Sequence, residues 1–525
     1  MSAPRRRARA ADALAAALAA ALAAGATATR AEAPLSAIDW LSESVALPAT
    51  RGPVGTPAAG AKVETVAAPI SVQPIAEGPS LDGLGVIPAA RAGLPRDLWG
   101  KTPSADLVRL LRAERLDTLP AIQSLLLTLL LVEAAPPQAT KGDGSQLFLA
   151  RVDKLLDIGA VDQALALLDL VPDPTRETFR RSFDAALLLG QEDRACDTMR
   201  ANAQIAPSFP ARIFCLARGG DWNAAALSLS TGSALGFITA DEYALLSRFL
   251  DPELYDGEPD LPPPERPSPL VLRMMEAIGQ PQPTATLPIA FAHLDLGPAA
   301  GWKPKIEAAE RLARSGAIGA NVLLGLYTEQ RPAASGGVWD RVALVQRLDA
   351  ALQAGDRDAV AAVLPQVWAE MEAVELEVPL AEIYGERLAA LDLPGRAGEL
   401  AFRIGLLSPA YEAVARRRAA ATGEEPFLIG LALGTIGEAA PPDQLGGAIR
   451  SAFDPAGGAA PGALDQLARD GRLGEALLLA IDHVTEGARG DLRDVTDGLR
   501  FLRSAGLESV ARRAGLELLL LERRG

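Results

Sequence analysis

Apolar residues recur at helical spacing over most of the chain, and many of these runs end at a glycine. The run before Gly159 is typical, because Phe148, Val152, Leu155 and Leu156 fall on one face of a helix. Segments with the two-residue period of a strand are rare. The best candidate, residues 283–296, contains prolines that favour an extended segment instead. The pattern therefore predicts an all-α protein.

The glycines belong to a recurring corner in which Leu stands three or four residues before Gly and Ala stands five after it. The copies are Leu156/Gly159/Ala164, Leu187/Gly190/Ala195, Leu216/Gly220/Ala225, Leu467/Gly471/Ala476 and Leu502/Gly506/Ala511, with a looser one at Leu352/Gly355/Ala359. Glycine readily ends a helix in the left-handed conformation, and a following alanine lets two helices approach closely. The first three glycines are 31 and 30 residues apart and the last two are 35 apart, which predicts stacked helical hairpins, an α-solenoid.

The corner "GDWNAA" resembles that of the tetratricopeptide family, although the Trp-Leu-Gly-x-x-Tyr pattern of that family is missing. The resemblance covers about half of the chain and implies a TPR-like helical-repeat fold. The whole chain, through "PLSAIDWLSESV", "GLPRDLWG" and "RPAASGGVWDR", also resembles a family of exported alphaproteobacterial proteins. Some of these carry the label antifreeze glycopeptide polyprotein, which matches Ala/Thr-rich low complexity and implies no mechanism.

The first 31 residues have the three parts of a secretory signal peptide. Four arginines between Arg5 and Arg9 precede the apolar run Ala13–Ala24, and small residues follow at 26–31. We therefore expect export to the periplasm and removal of residues 1–31. The alternative is an amphipathic Ala/Arg-rich helix of a cytosolic protein.

Charge excludes one class of partner. The net charge is −15, and removal of residues 1–31 takes away five arginines and one aspartate, which leaves −19. Such a surface repels phosphate backbones, so nucleic-acid binding is not expected. The longest later apolar run, Ser124–Val132, is too short to span a membrane and predicts a buried helix.

Composition divides the rest of the chain into four parts. Residues 32–103 are rich in Pro, Ala and Gly and predict a mostly disordered tether. Residues 104–250 predict a first helical body, residues 251–302 a proline-rich connection with a short helix, and residues 303–525 a second body. Two apolar islands interrupt the tether, at 35–45 and at Leu94, Leu98 and Trp99. We expect them to dock on the chain's own body, since exposed tryptophan is costly.

Catalytic patterns are scarce. The two histidines, His293 and His483, are far apart in sequence, and we interpret them as a loop residue and a helix-surface residue. Zinc, nucleophile-elbow and phosphate-loop motifs are absent from the sequence, so we expect no cofactor, metal site or catalytic residue. Glu43-Ser44 matches the catalytic dipeptide of lytic transglycosylases, but it lies in the tether and the family's downstream pattern is missing.

The only two cysteines, Cys196 and Cys215, are expected to form a disulfide. Cys196 lies six residues after the Gly190 corner and Cys215 five before the Gly220 corner. Their helices should be antiparallel neighbours joined around residues 202–210, which sets both cysteines at similar heights. An exported protein experiences oxidising conditions, which favours pairing. The alternative is two separately buried thiols.

Residues 331–341, "RPAASGGVWDR", form the most suggestive segment outside the corners. Glycines free the backbone, and Arg331, Trp339 and Arg341 are of the types that dominate binding hot spots. They are our candidate partner-binding residues. The alternative is a plain helix connection in which Trp339 packs inward and Arg341 pairs with an acid.

Three functions are compatible with these features of the sequence. The leading hypothesis is an exported, non-enzymatic scaffold that binds another protein or peptide of the cell envelope. The second is an envelope enzyme, or enzyme subunit, that acts on peptidoglycan, which a shielded carboxyl beside a second carboxylate would favour. The third is a structural or stress-related envelope protein without a specific ligand.

Overall fold

The protein was described from a computed structural model, which covers residues 80–138, 144–418, 423–454 and 462–521. All of these belong to one unit, residues 37–525. The predicted signal peptide, residues 1–31, and residues 32–79 of the predicted tether lie outside the described residues. Within the described ranges nearly all regular structure is helical, which confirms the all-α prediction.

The first thirteen helices run from the end of the predicted tether into the predicted second body. Their bounds are α1 Ala89–Ala92, α2 Ser104–Ala113, α3 Pro120–Leu131, α4 Gln146–Ile158, α5 Val161–Leu168, α6 Arg176–Leu188, α7 Glu192–Ala201, α8 Phe209–Arg218, α9 Trp222–Ala234, α10 Ala240–Leu250, α11 Pro269–Ala277, α12 Ala292–Asp295 and α13 Trp302–Arg314. Short 3-10 turns lie at Leu81–Gly83, Ala203–Ile205, Pro252–Tyr255 and Ile289–Phe291.

Twelve further helices complete the described part of the chain. They are α14 Ala320–Glu329, α15 Val338–Ala354, α16 Arg357–Glu372, α17 Glu377–Ala390, α18 Gly395–Leu406, α19 Tyr411–Arg417, α20 Glu425–Leu433, α21 Gln444–Phe453, α22 Ala463–Arg469, α23 Leu473–Gly487, α24 Leu492–Ser504 and α25 Glu508–Leu520. The strands within the described ranges are two residues long, β1 Ile87–Pro88 and β2 Val132–Glu133, and pair in parallel with Ile87 opposite Val132. No described helix is long and apolar enough to cross a membrane.

Each predicted corner joins two helices that contact each other. Its glycine has a positive φ, for example 85° at Gly159 and 83° at Gly220, a backbone conformation that residues with a Cβ rarely adopt. The alanine five residues later is buried in the five regular copies: Ala164, Ala195, Ala225, Ala476 and Ala511. In the looser copy Ala359 is only half-buried. The pattern thus predicted both the break and the close contact after it.

Helix α3 contains most of the run predicted to be a buried helix. Its leucines at 125, 126, 129, 130 and 131 are buried, but Ser124 is exposed, so the helix is not buried all round. It contacts α4 and also α23 and α25 near the other end of the chain. The backbone N–H of Ala121 in its first turn donates to the buried carboxylate of Glu517 on α25, at 2.8 Å. That carboxylate satisfies a backbone donor that a helix start otherwise leaves without a partner.

Residues 80–103, which the sequence assigned to the tether, pack into this same body. Leu94, Leu98 and Trp99 are buried in the main hydrophobic cluster, so this island docks on its own chain. The N–H of Gly474 donates to the carbonyl of Leu98 at 2.8 Å, and a Cβ on Gly474 would lie 2.6 Å from Trp99 Cε3. The beginning and the end of the described chain are therefore held against each other.

Buried Arg151 on α4 forms hydrogen bonds to the first described residues, around Leu84, and to the end of α3. Its guanidinium donates to the carbonyls of Leu130, Val132 and Leu84 at 2.7–2.8 Å. The Asp82 carboxylate accepts the backbone N–H of Phe148 and attracts the same arginine. Burial lowers the pKa of Arg151 to about 10, so the group stays charged at neutral pH.

The buried apolar residues of the described ranges form two clusters. The main core extends from Ala89 to Leu521, and a second core lies within residues 179–275, on α6 to α11. Helix α6 serves both, since Ala185 and Leu188 face the main core while Phe179 and Phe183 face the second. Helix α11 returns to α6, where Arg273 donates to the carbonyl of Leu187 at 2.6 Å.

The corner at Gly220 provides a test of the packing. Replacing buried Ala225 by Leu should overpack the contact between α8 and α9 and lower the free energy of unfolding by about 1–3 kcal/mol. Urea denaturation would measure it, with Ala226→Leu, exposed on the same helix, as the control. An unchanged stability in Ala225→Leu would contradict close packing at this corner.

Candidate functional site

The two cysteines lie where their helices cross. Cys196 on α7 and Cys215 on α8 are both buried in the second core, and their Cα atoms are 5.1 Å apart, which is disulfide distance. The described part of the chain contains no free cysteine. The pair ties neighbouring helices, as the corner spacing predicted, and borders a surface cavity of about 420 Å³ that reaches Leu216 and Asp221.

Helix α9 begins at Trp222, directly after Asp221, which lines this cavity. The helix exposes several apolar side chains. Ala225 and Leu229 face the second core, and Leu227 lies between them in sequence and on the opposite side of the helix, 70% exposed. Trp222 at the start of the helix is 51% exposed, and Leu235 just after its end is also exposed. No residue from Trp222 to Ala240 is charged, in a chain with 22% charged residues. We call the exposed surface of Trp222, Leu227 and Leu235 the α9 face.

The next elements add apolar side chains and negative charge. Tyr243 on α10 is exposed, and Leu254 in the 3-10 turn that follows is 69% exposed. Residues 241–260 carry seven acids and a single arginine, Arg248, which pairs with Glu258 at 3.4 Å. We call residues 251–260 the acidic segment, because its five acidic residues, Asp251, Glu253, Asp256, Glu258 and Asp260, are all exposed.

These elements hold more than half of the large apolar side chains that are exposed in the described ranges. Nine large apolar side chains are exposed in the described ranges, and five of them lie between Trp222 and Leu254. Exposed apolar patches on a soluble protein mark interaction sites more often than isolated exposed residues do. The sequence carried the signal, an uncharged run beside an acid-rich one, but the corner interpretation alone did not find it.

The three predicted partner-binding residues in 331–341 differ in their exposure to solvent. Arg331 is exposed, whereas Arg341 is 7% exposed and donates to both carboxylate oxygens of Glu310, at 2.8 and 2.7 Å. Trp339 is half-buried with its ring centroid 5.1 Å from that of Trp302. The geometry corresponds to the helix-connection alternative, so Arg341 is not available to a partner.

The Arg341 ion pair is part of a buried network. Tyr327 donates its hydroxyl to Glu310 at 2.6 Å, and burial together with that carboxylate raises the pKa of Tyr327 well above its usual value. Burial opposes the charged form of Arg341, but the hydrogen bonds and charge of Glu310 outweigh it and raise its pKa. Glu310, Tyr327 and Arg341 lie on α13, α14 and α15, so the hydrogen bonds between them join these three helices.

The histidines have structural roles. His293, predicted as a loop residue, lies on short helix α12 and is buried, with Nε2 2.7 Å from the carbonyl oxygen of Gly159. The predicted loop position was wrong, because residues 292–295 form a short helix whose histidine packs beside the end of α4. His483 is on the half-exposed side of α23 beside Asp494 at 2.8 Å. In the described ranges no group of three His, Cys, Asp or Glu side chains is placed to hold a metal ion.

Two pairs of carboxylates were compared as candidates for acid–base chemistry. A cavity of about 410 Å³ contains Asp117 and Glu375 with Arg311 and Arg314, but both carboxylates are well exposed. Glu114 is different, since burial and the negative charge of Asp482 raise its pKa to about 8 although Lys154 opposes the shift. Glu114 ends α2, close to α23, and the cavities described here do not include it.

The disulfide has a chemical test. In unfolded, unreduced protein we expect no reactive thiol, and reduction should lower stability by about 3 kcal/mol, the chain-entropy estimate for a short loop. Thiol titration and denaturation with and without reductant measure the two effects. A Cys196→Ala/Cys215→Ala variant should be insensitive to reductant, and two free thiols in the native protein would contradict the pairing.

Glu114 makes stability depend on pH with a definite sign. Its folded pKa, about 8, exceeds the usual 4.5, so between these values the unfolded chain ionises this group first. Its contribution to stability therefore decreases as pH rises, by at most about 1.4 kcal/mol per pH unit. Asp184, whose pKa burial raises to about 7, acts in the same direction.

Substitution of Glu114 isolates its contribution to the pH dependence of stability. Glu114→Gln should flatten the fall in stability between pH 5 and 8, whereas Glu329→Gln, at an exposed position, should not. Urea denaturation at each pH provides the measurement. An unchanged slope in Glu114→Gln would show that Glu114 ionises normally in the folded protein.

Comparison of the chain with protein-family models, with curated proteins and with solved structures finds no match.

Proposed function

We propose that the protein is an exported, non-enzymatic scaffold, a TPR-like α-solenoid, that binds another protein or peptide of the cell envelope. The observation that carries the proposal is the concentration of exposed apolar side chains on α9, α10 and the turn after them. Burial of such a surface against a partner is favourable, and consecutive helices offer a rigid platform for it.

Two features support an envelope location. The order of basic, apolar and small residues in 1–31 is that of a signal peptide. The cysteine pair at disulfide distance suits an oxidising compartment, because thiols in the cytosol are kept reduced. The acidic surface argues against nucleic acid as the ligand.

The alternative of an enzyme acting on peptidoglycan has one observation in its favour. Glu114 is a shielded carboxyl with a raised pKa beside Asp482, and such a pair can serve as general acid and base in glycoside hydrolysis. Its position at a contact between α2 and α23 supports a structural role instead. Release of soluble fragments from peptidoglycan that Glu114→Gln abolishes would favour the enzyme. A structural or stress-related protein without a ligand is the third possibility.

Isolation of the tagged chain from its native envelope tests the scaffold proposal. We expect a mature N-terminus near Thr29 to Glu32 and a defined envelope protein recovered with the chain. A variant lacking residues 1–31 is the control, since it should stay in the cytosol and recover none of that partner. An intact Met1 in the cytosolic fraction, or no partner above this control, would contradict the proposal.

A further inference from the structure

We infer that the α9 face and the acidic segment beside it form one docking surface for an amphipathic, positively charged helical segment of a partner protein. The inference rests on the proposed scaffold function and specifies the chemistry of its partner. It combines the shape of the α9 face with the distribution of charge around it.

The α9 face suits a helix better than an extended strand. The positions that share the outward side with Leu227 are small or short: Asn223, Ser230, Thr231 and Ala234. Small residues let a second helix approach closely, while Trp222 and Leu235 provide apolar contacts at the two ends. The described β-strands offer no comparable edge, since they are two residues long and pair with each other.

The acidic segment lies at one end of this face. Phe237, just before α10, stacks on Phe209 at the start of α8, and Phe249 near the end of α10 stacks on Phe214, five residues further along α8. Since α8 and α9 form a hairpin at Gly220, α10 runs back along α9, and the turn Pro252–Tyr255 follows at the Trp222 end. Leu254 is exposed there, between Glu253 and Asp256. A partner helix that buries Leu227 and Leu254 would thus bring its flanks against negative charge.

Nearby arginines do not cancel this negative field. Arg248 pairs with Glu258, Arg218 with Asp193 at 2.7 Å, and Arg200 with Asp197 at 2.8 Å. From residue 222 to residue 260 the chain carries seven acids and one arginine, a net charge of −6, which leaves an excess of acid for a basic partner.

The negative charge of the docking surface disfavours two other occupants of it. A second copy docked through the same surface would bring two acidic segments together, because a twofold interface pairs identical patches. Residues 32–79 of the chain contain five acids and two basic residues, so they match poorly as well. The basic residues 5–9 belong to the segment predicted to be removed on export.

Titration calorimetry with three synthetic 16-residue peptides tests the inference. The first has leucines on one helical face and lysines on its flanks, the second has glutamates in place of the lysines, and the third has the first composition scrambled to remove the apolar face. We expect the first peptide to bind the mature chain at least tenfold more tightly than the other two, and more weakly at high salt.

Variants locate the site. Leu227→Glu should weaken the first peptide at least tenfold, whereas Val322→Glu, at an exposed apolar position on α14, should not. Glu253→Gln with Asp256→Asn and Asp260→Asn should reduce affinity and its salt dependence, unlike a control triple at exposed Glu329, Asp340 and Asp358. Equal melting temperatures would exclude loss of folding as the cause.

The outcomes separate this inference from the scaffold proposal. Equal binding of basic and acidic peptides, or equal loss in Leu227→Glu and Val322→Glu, would overturn the docking surface. If the chain still recovers an envelope partner and Leu227→Glu does not reduce that recovery, the scaffold function stands and the partner binds elsewhere.

Discussion

Close approach between neighbouring helices is the constraint on which the rest of this structure depends. The chain has 49% hydrophobic residues but only 4% aromatic ones, so short side chains must fill the space between helices. Alanine after each corner and glycine where helices meet, such as Gly498 and Gly232, satisfy that need, since a Cβ on Gly498 would lie 2.7 Å from Val484 Cγ2 and a Cβ on Gly232 2.7 Å from Phe209. Helices packed this closely gain dispersion contacts, and one added methylene forces a shift.

The same constraint explains how the buried charges are arranged. Where helices approach closely there is no room for water, so each buried ionic group must find a partner within the protein. Arg151 binds the carbonyls around β2, Glu517 accepts the N–H of Ala121, and Glu310 pairs with Arg341. Glu114 instead has its pKa raised to about 8, because burial and Asp482 oppose its charge more than Lys154 supports it.

The proposed docking surface lies on the second core. That core is smaller than the main one, and the cysteine pair holds two of its helices together. Ala225 and Leu229 anchor α9 in this core, which leaves Leu227 on the opposite, exposed side of the helix. The uncharged helix and the acidic turn beside it then provide shape and charge, which together set affinity and specificity for a partner.

The sequence by itself determined the helical class, the corner glycines with the buried alanines of the five regular corners, the burial of most leucines in the run 124–132, and the disulfide distance between Cys196 and Cys215. Each depends on spacing within a few turns of helix or on one hairpin, where local geometry decides which residues meet. Only the tertiary structure decided that Trp99 packs against Gly474, that Glu517 caps α3, that Arg341 is buried against Glu310 and that His293 contacts Gly159. These contacts join residues from 31 to 396 positions apart, and helical periodicity carries no information about which distant faces meet. The exposure of Leu227 belongs to the same group, because a leucine in a helix is buried or exposed according to what packs on it.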